Sequence, residues 1–446
     1  MKLRSLILST VVLLALVGTL YWSEHRKPKE DTTVSADTSP AILKLDEASI
    51  TKVDLKKKDS APIALSKDGS GSWQITEPKP LSADQNTVSS MVSALASLRS
   101  ERVVEDKASD LQPFGLAQPT LEVDLSEKDN KSQKLLIGDD TPTGSAVYAM
   151  LTGDPRIFTI ASYNKTSFDK SVSDLRDKRL LTVAPDKISR LELERDNQTI
   201  EFGRDKDEWQ ILKPKPLRAD TLQVGELVQK LTDARMDLSG SATSEKDAAS
   251  AFAHAKPVAI AKVTDLAGTQ ELQVRKDKDT YYAKSSVVEG AYKVDSSLGQ
   301  AMDKGLDDFR DKKVFDFGFT DPDKIEMHDG SKAYYLSRSG ADWWSNGKKM
   351  DAISAQDFVS ALRDVSANKL LDSGFTKGGA LPPPITIAVT SDGGKRVEKV
   401  SIAKSGNNCI AKRENDPTLY QLDANTLDSL QKSADEIKPA VTETKK

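Results

Sequence analysis

Asp139 and Asp140 form an adjacent acid pair inside the stretch Gly138-Asp139-Asp140-Thr141-Pro142-Thr143-Gly144. Neighbouring carboxylates can share acid–base work or hold a hard cation. No third acid follows at the spacing of a calcium loop, and Gly, Asp, Thr and Pro are the residues of a hairpin turn, so the stretch reads as a turn. The remaining chemistry-bearing residues are dispersed. His25, His254, His328 and the single Cys409 show no metal-ligand spacing, and no zinc site or nucleophilic triad is legible. The sequence therefore assigns no catalytic residue, no metal ligand and no cofactor. A lone cysteine also excludes an intramolecular disulfide.

Tryptophan is the other residue type with binding chemistry. Trp73, Trp209 and one of Trp343 or Trp344 could form a stacking platform of the kind used for sugars. Their recurrence before the same amphipathic helix instead marks a repeated core anchor. Adjacent strand residues face opposite sides, so one of Trp343 and Trp344 should point away from the core, toward a partner or a neighbouring unit. Arg176-Asp177-Lys178 and Arg310-Asp311-Lys312 stand at the ends of helices, where cations complement the helix dipole. They read as junction salt bridges and caps. Gly378 to Pro384 reads as a polyproline-like connector.

The elements that position these residues occur three times. Trp73-Gln74-Ile75, Pro78-Lys79-Pro80-Leu81 and Ala83-Asp84 return as Trp209-Gln210-Ile211, Pro214-Lys215-Pro216-Leu217 and Ala219-Asp220, a shift of 136 residues. Leu175-Arg176-Asp177-Lys178 returns as Phe309-Arg310-Asp311-Lys312 after 134. A period of about 135 residues is a domain with its own core, not a solenoid unit.

Within the first unit, Val53 with Leu55, Ile63 with Leu65, and Trp73 with Ile75 alternate as strands of a meander, the last entered through the turn Asp68 to Gly71. Val88, Met91, Val92, Leu95 and Leu98 form a helical stripe behind the N-cap Asp84. Val224, Leu227, Val228, Leu231 and Ala234 repeat it behind Asp220, with Gln223 at the capping-box position. Ala355, Phe358, Val359, Leu362 and Val365 give a third stripe, read as starting at Ser354 with Asp357 in the capping-box place. Each back half is strand-rich. In the first unit Leu121 to Leu125, Leu135 to Ile137, Val147 to Met150 and Ile157 to Ile160 precede a polar helix. Tyr281 to Ala283 and Tyr292 to Val294 correspond in the second unit, with Val400 to Ile402 and Tyr420 to Leu422 in the third. The fold class is α+β: three tandem strand-rich modules, each an antiparallel sheet of hairpins packed on one or two helices. The third, shorter after Trp343 and without Pro-x-Pro, is the degenerate copy.

Lys2 and Arg4 precede an uncharged run from Leu6 to Trp22, followed by His25 to Pro40 as linker. Small residues at cleavage-site spacing are missing, and the run is longer than the usual signal-peptide core, so it reads as an uncleaved anchor in preference to a removed signal. The expected divisions are 1–23 anchor or signal, 24–42 linker, modules at 43–181, 182–315 and 316–437, and a polar tail at 438–446. Charged residues at 30% and a net charge of −4 describe an ordinary soluble surface and exclude a nucleic-acid binder.

At Trp73 to Asp84, Phe114-Gly115-Leu116 with Pro119, Leu136 to Asp139 through Thr141-Pro142 and Gly144, Tyr148, and Leu175 to Lys178, the chain resembles the bacterial domain-of-unknown-function 4340 family (DUF4340). The second unit replaces two of these elements, by Phe252-Ala253-His254 and by Arg275 to Thr280; the third joins only through its helix and final strands. The resemblance implies a membrane-anchored envelope protein, often encoded beside ABC-type transport components of the gliding-associated sort, and carries over no catalytic residue. The expected function is a non-enzymatic interaction or accessory protein of the bacterial inner membrane. It is single-pass through residues 6–22, with its bulk periplasmic or extracytoplasmic and ABC transporter subunits as candidate partners. An envelope saccharide-binding protein or hydrolase with a site between modules is the alternative.

Overall fold

The computed structural model describes residues 41–129, 131–206, 208–238, 245–318, 320–372 and 384–440. The apolar run 6–22, His25, the connector from Gly378 to Pro383 and the tail from 441 lie outside them. Among the described residues no helix is long and apolar enough to cross a membrane. The chain divides into two compact units, Met1–Lys178 and Arg179–Lys446.

The first unit is built from β1 (Ile50–Lys57), β2 (Ile63–Lys67), β3 (Trp73–Glu77), β4 (Leu81–Ser82), α1 (Gln85–Ala96), β5 (Arg102–Glu105), β6 (Leu121–Glu127), β7 (Ser132–Asp140), β8 (Ala146–Leu151), β9 (Ile157–Ala161), α2 (Ser162–Phe168) and α3 (Val172–Leu175). Its antiparallel sheet runs β4-β3-β2-β1-β6-β7-β8-β9-β5. The alternation read in the sequence decides its faces: Val53, Leu55, Leu65, Trp73 and Ile75 are buried with the α1 stripe, while their strand neighbours face outward. Asp68 ties the β2–β3 turn by accepting the Ser70 and Ser72 N–H groups at 2.9 and 3.0 Å. Four hydrogen bonds, the Ser70 hydroxyl first, hold its carboxyl down at about 2.

The second unit holds two more such sheets. One comprises β10 (Arg190–Arg195), β11 (Gln198–Asp205), β12 (Glu208–Lys213), β13 (Leu217–Arg218), α4 (Thr221–Thr232), α5 (Glu245–His254), β14 (Lys256–Asp265), β15 (Gly268–Asp277), β16 (Thr280–Ser285), β17 (Ala291–Val294), α6 (Ser296–Met302) and α7 (Leu306–Phe309). The other comprises β18 (Lys324–Asp329), β19 (Lys332–Ser339), β20 (Asp342–Ser345), β21 (Lys348–Lys349), α8 (Ala352–Asp364), β22 (Lys369–Leu371), β23 (Ile385–Ser391), β24 (Arg396–Ser405), β25 (Asn408–Arg413), β26 (Leu419–Leu422) and α9 (Thr426–Asp435). Their orders are β13-β12-β11-β10-β14-β15-β16-β17 and β21-β20-β19-β18-β23-β24-β25-β26-β22; the third repeats that of the first sheet strand for strand, and the second repeats it without the last edge strand. All three stripes are buried, and Trp73, Trp209 and Trp343 are 3%, 6% and 3% exposed. The three strand-rich α+β modules are therefore present, and the third is a full copy in strand order.

The same backbone bonds close each copy. The N-cap residue's N–H donates to the carbonyl of the chain returning beside it: Asp84 to Leu175, Asp220 to Phe309 and Asp351 to Lys438, each at 2.8 Å. At the other end, Ile42, Leu180 and Val314 donate their N–H to the last stripe residue, Leu98, Ala234 and Val365. A strand side chain then clamps the N–H two residues on: Gln133 holds Lys44 at 3.1 Å, Gln270 holds Thr182 at 2.9 Å, and Glu398 holds Asp316 at 3.1 Å. Leu180 and Leu181 consequently pack in the second core, and Val314 and Phe315 in the third.

Several local expectations change. Helix α8 is capped by Asp351, whose carboxylate accepts the Ser354 N–H at 2.9 Å, so Ser354 lies inside the first turn and Asp357 plays no capping-box role. Asp220 caps α4 as expected, but the Gln223 side chain accepts from Lys304 Nζ at 2.9 Å instead of closing a capping box. By register, Cys409 to Ala411 is the counterpart of Tyr281 to Ala283, and Val400 to Ile402 lies one strand earlier, beside Leu272 to Val274. Apolar alternation looks alike in neighbouring strands; only pairing separates them. The third copy is shorter after Trp343 because Asn346 and Gly347, at φ 49° and 76°, make the β20–β21 corner as a two-residue turn. Helix α5, which no apolar stripe announces in the sequence, packs Ala248 and Phe252 onto the second module, with Arg275 stacked 4.7 Å from the Phe252 ring.

Candidate functional site

In the first unit, the residues behind the family resemblance converge. Gly115, at φ 68°, ends the turn Gln112–Phe114, and a Cβ there would lie 2.4 Å from Asp139 Cγ. A Cβ on Gly138 would meet the Phe114 carbonyl oxygen at 2.1 Å. Phe114 meets Tyr148 edge-on at 5.0 Å. The Phe-Gly-Leu turn thus needs glycine on both sides of one close backbone approach. Asp139 and Asp140 sit at the end of β7, with Asp140 paired to Lys165 at 3.2 Å, and Thr141 closes the hairpin through its N–H and hydroxyl to the Ala146 carbonyl. The two acids thus end the strand, and the hairpin turn that the composition indicated follows them.

A cavity of about 610 Å³ in the second unit opens between its two sheets. Arg218, the last residue of β13, reaches across it. Its Nη1 donates to the Lys313 carbonyl at 2.8 Å and to the Tyr420 hydroxyl at 3.1 Å, its Nη2 pairs with Asp311, and Asp316 lies 3.4 Å away. Tyr420 in turn donates to Asp416 at 2.6 Å. Burial opposes the charge on Arg218 more than any one partner favours it, but Asp311, Tyr420 and Asp316 together outweigh it and hold the guanidinium above its ordinary value. Burial pushes the Tyr420 phenol up to about 12. Deeper in, Glu398 receives Arg413 at 2.6 Å, and Arg396 pairs with Asp316 at 2.7 Å. Nearby, Arg310, only 3% exposed, donates to Thr418 at 3.1 Å and pairs with Asp372 at 3.0 Å. The guanidinium groups of Arg218, Arg396 and Arg413 already have partners within the protein, so the arrangement fastens two sheets together.

The second Arg-Asp-Lys element therefore supplies the junction that sequence spacing suggested. In the first unit, Arg176 is buried and Asp177 donates its N–H to the Ser82 carbonyl at 2.9 Å, closing its own module. Arg218 itself gave no sequence signal: its counterpart in the first module is Ser82, and its partners are fixed only by folding.

The other candidates remain apart. Cys409 is fully buried with its thiol against the Ala424 carbonyl, and His254 bonds the Ser250 carbonyl at 2.8 Å. Among the described residues no three His, Cys, Asp or Glu side chains group as a metal site. Trp343 fills the third core while Trp344, 36% exposed, points outward, as strand alternation requires.

Residues 73–216 and 209–382 each match the model of one protein family, described as Domain of unknown function (DUF4340). Both matches begin at the tryptophan of a third strand, so each starts part-way through one closed sheet and ends within the next. No curated protein and no solved structure matches the chain.

Proposed function

We propose, from the premise that the chain belongs to the DUF4340 family, that it is a non-enzymatic, membrane-anchored envelope protein whose modules offer docking surfaces to a membrane partner, with ABC transporter subunits as the candidates. One observation carries this reading. The same strand order and the same closing hydrogen bonds are kept three times, while the outward side chains differ from copy to copy. A scaffold maintained under changing faces suits recognition, in which side chains on a rigid frame select the partner. Anchoring rests on the apolar run 6–22, long enough at about 1.5 Å per residue to approach the thickness of a hydrocarbon core.

Crosslinking in intact cells followed by purification under denaturing conditions tests the docking role. The reading expects an integral membrane protein joined to the chain and lost when residues 1–23 are replaced by a cleavable signal sequence. Recovery of the chain alone, with crosslinking controls intact, contradicts it.

A further inference from the structure

The outer face of the third sheet differs in kind from those of the other two. At matched register positions, the first module carries Gln74, Asp54 and Asp124, the second Gln210, Glu192 and Lys262, and the third Trp344, Glu326 and Ala388. In the first two, these faces are laced by ion pairs: Lys134 with Asp124 at 3.0 Å, Arg190 with Glu192 at 2.9 Å, and Lys262 with Glu194. In the third, Lys324 still pairs with Glu326, but Ala388 stands opposite Glu326 and the ladder goes no further on that strand. A hollow of about 530 Å³ lies there, floored by Thr386, Ala388 and Ser401.

An aromatic strip borders the hollow. Trp344 pairs with Ser337, which places it diagonally beside Tyr335, and Tyr335 meets His328 edge-on at 5.7 Å. Diagonal neighbours on one sheet face lie about 7–8 Å apart, within reach of large rings. Trp344 and Tyr335 are 36% and 38% exposed. On the far side stand Lys399 and Lys412, with Glu414 paired to Lys399 at 3.3 Å; Glu326 stands on the near side. Most of the charges in and around the lining are taken up in pairs, Lys399 with Glu414, Arg413 with Glu398 and Glu326 with Lys324, so the hollow does not call for a strongly charged ligand. It offers ring faces, hydroxyls, and both donors and acceptors.

We infer that this face binds a neutral saccharide chain, its ring faces on Trp344 and Tyr335 and its hydroxyls toward His328, Thr386, Ser401 and Lys399. Flat amphipathic rings beside short hydroxyl side chains match a sugar's apolar face and polar edge. The inference stands independently of the docking reading and places the site on the outer face of one sheet, where its far rim, Lys399 and Glu414, also borders the cavity between the two sheets.

Titration calorimetry of the full chain in detergent with maltotriose, cellotriose and triacetylchitotriose tests it. Saturable binding by at least one sugar is expected. Ala388→Lys and Trp344→Gln install the residues of the second module at the same register positions, so both should fold. Each should weaken binding tenfold or more with an unchanged melting curve, whereas Gln210→Ala should leave binding within twofold. Saturable binding by none of the three sugars overturns the inference, as does binding that survives both substitutions. A protein as the true occupant would show no heat with any sugar and protection of Trp344 from N-bromosuccinimide in native membranes only; that outcome also overturns it.

Discussion

Arg218 donates to the Tyr420 hydroxyl at 3.1 Å although 202 residues separate them in the chain. The contact joins the end of one sheet's edge strand to a strand near the far edge of the next. With Asp311, Asp316 and Asp416 around it, it bonds the second module to the third.

Arg218→Ala should therefore lower the stability of the second unit by about 2–3 kcal/mol, because a part-buried Asp311 is left without its counter-charge. Denaturant unfolding should change from one transition to two. Arg218→Ser, which copies the first module's Ser82, should behave alike. A single unshifted transition in both variants would show that the modules are held by other contacts.

The same cluster gives a pH signature. The Tyr420 phenol ionises at about 12 in the fold, against an ordinary value of 10.0. A raised acid pKa means that the fold favours the protonated form, so the contribution is complete below pH 10 and disappears as pH rises toward 12. Two units correspond to about 2–3 kcal/mol. The alkaline loss of stability in Tyr420→Phe should be smaller than in the parent by about that amount, as read from denaturation midpoints between those limits.

Helix capping distinguishes the structure from the plain sequence reading. Asp351→Ala should cost about 1 kcal/mol and Asp357→Ala less than about 0.5 kcal/mol in thermal unfolding, since only Asp351 accepts a first-turn N–H. Equal costs would restore Ser354 as the start of α8.

Trp73→Ala and Trp209→Ala should each destabilise their own unit by about 3–5 kcal/mol, the range for emptying a buried aromatic site. Gly138→Ala should also be severe, because its Cβ would meet the Phe114 carbonyl oxygen, which is backbone and cannot rotate away. Site-specific fluorescence during denaturation measures both. An unchanged midpoint for Trp73→Ala would remove the core-anchor reading.

Much of this fold was legible because it depends on local periodicity. The three helix stripes, the tryptophans of the third strands and the Asp84 and Asp220 caps all recur at fixed intervals. What was not legible depends on pairing. The strand matching Tyr281 to Ala283 looks in isolation like its neighbour. The Asp351 cap, by contrast, was within reach, since it precedes its stripe by the same spacing as Asp84 and Asp220 precede theirs. Trp344 could be assigned an outward direction in advance, but not the company of Tyr335, His328 and Ala388, which three different strands bring to it. Arg218 lay wholly beyond reach, since neither its spacing nor its type marks a partner 202 residues away.

Anchoring is the premise on which the docking role depends, and protease accessibility in spheroplasts measures it directly. The chain should sediment with membranes through a high-salt wash, keep Met1 or Lys2 at its N-terminus, and lose its modules to protease added from outside the inner membrane. Recovery in the soluble fraction with a new N-terminus near Leu20, or modules protected until the membrane is opened, would contradict the account.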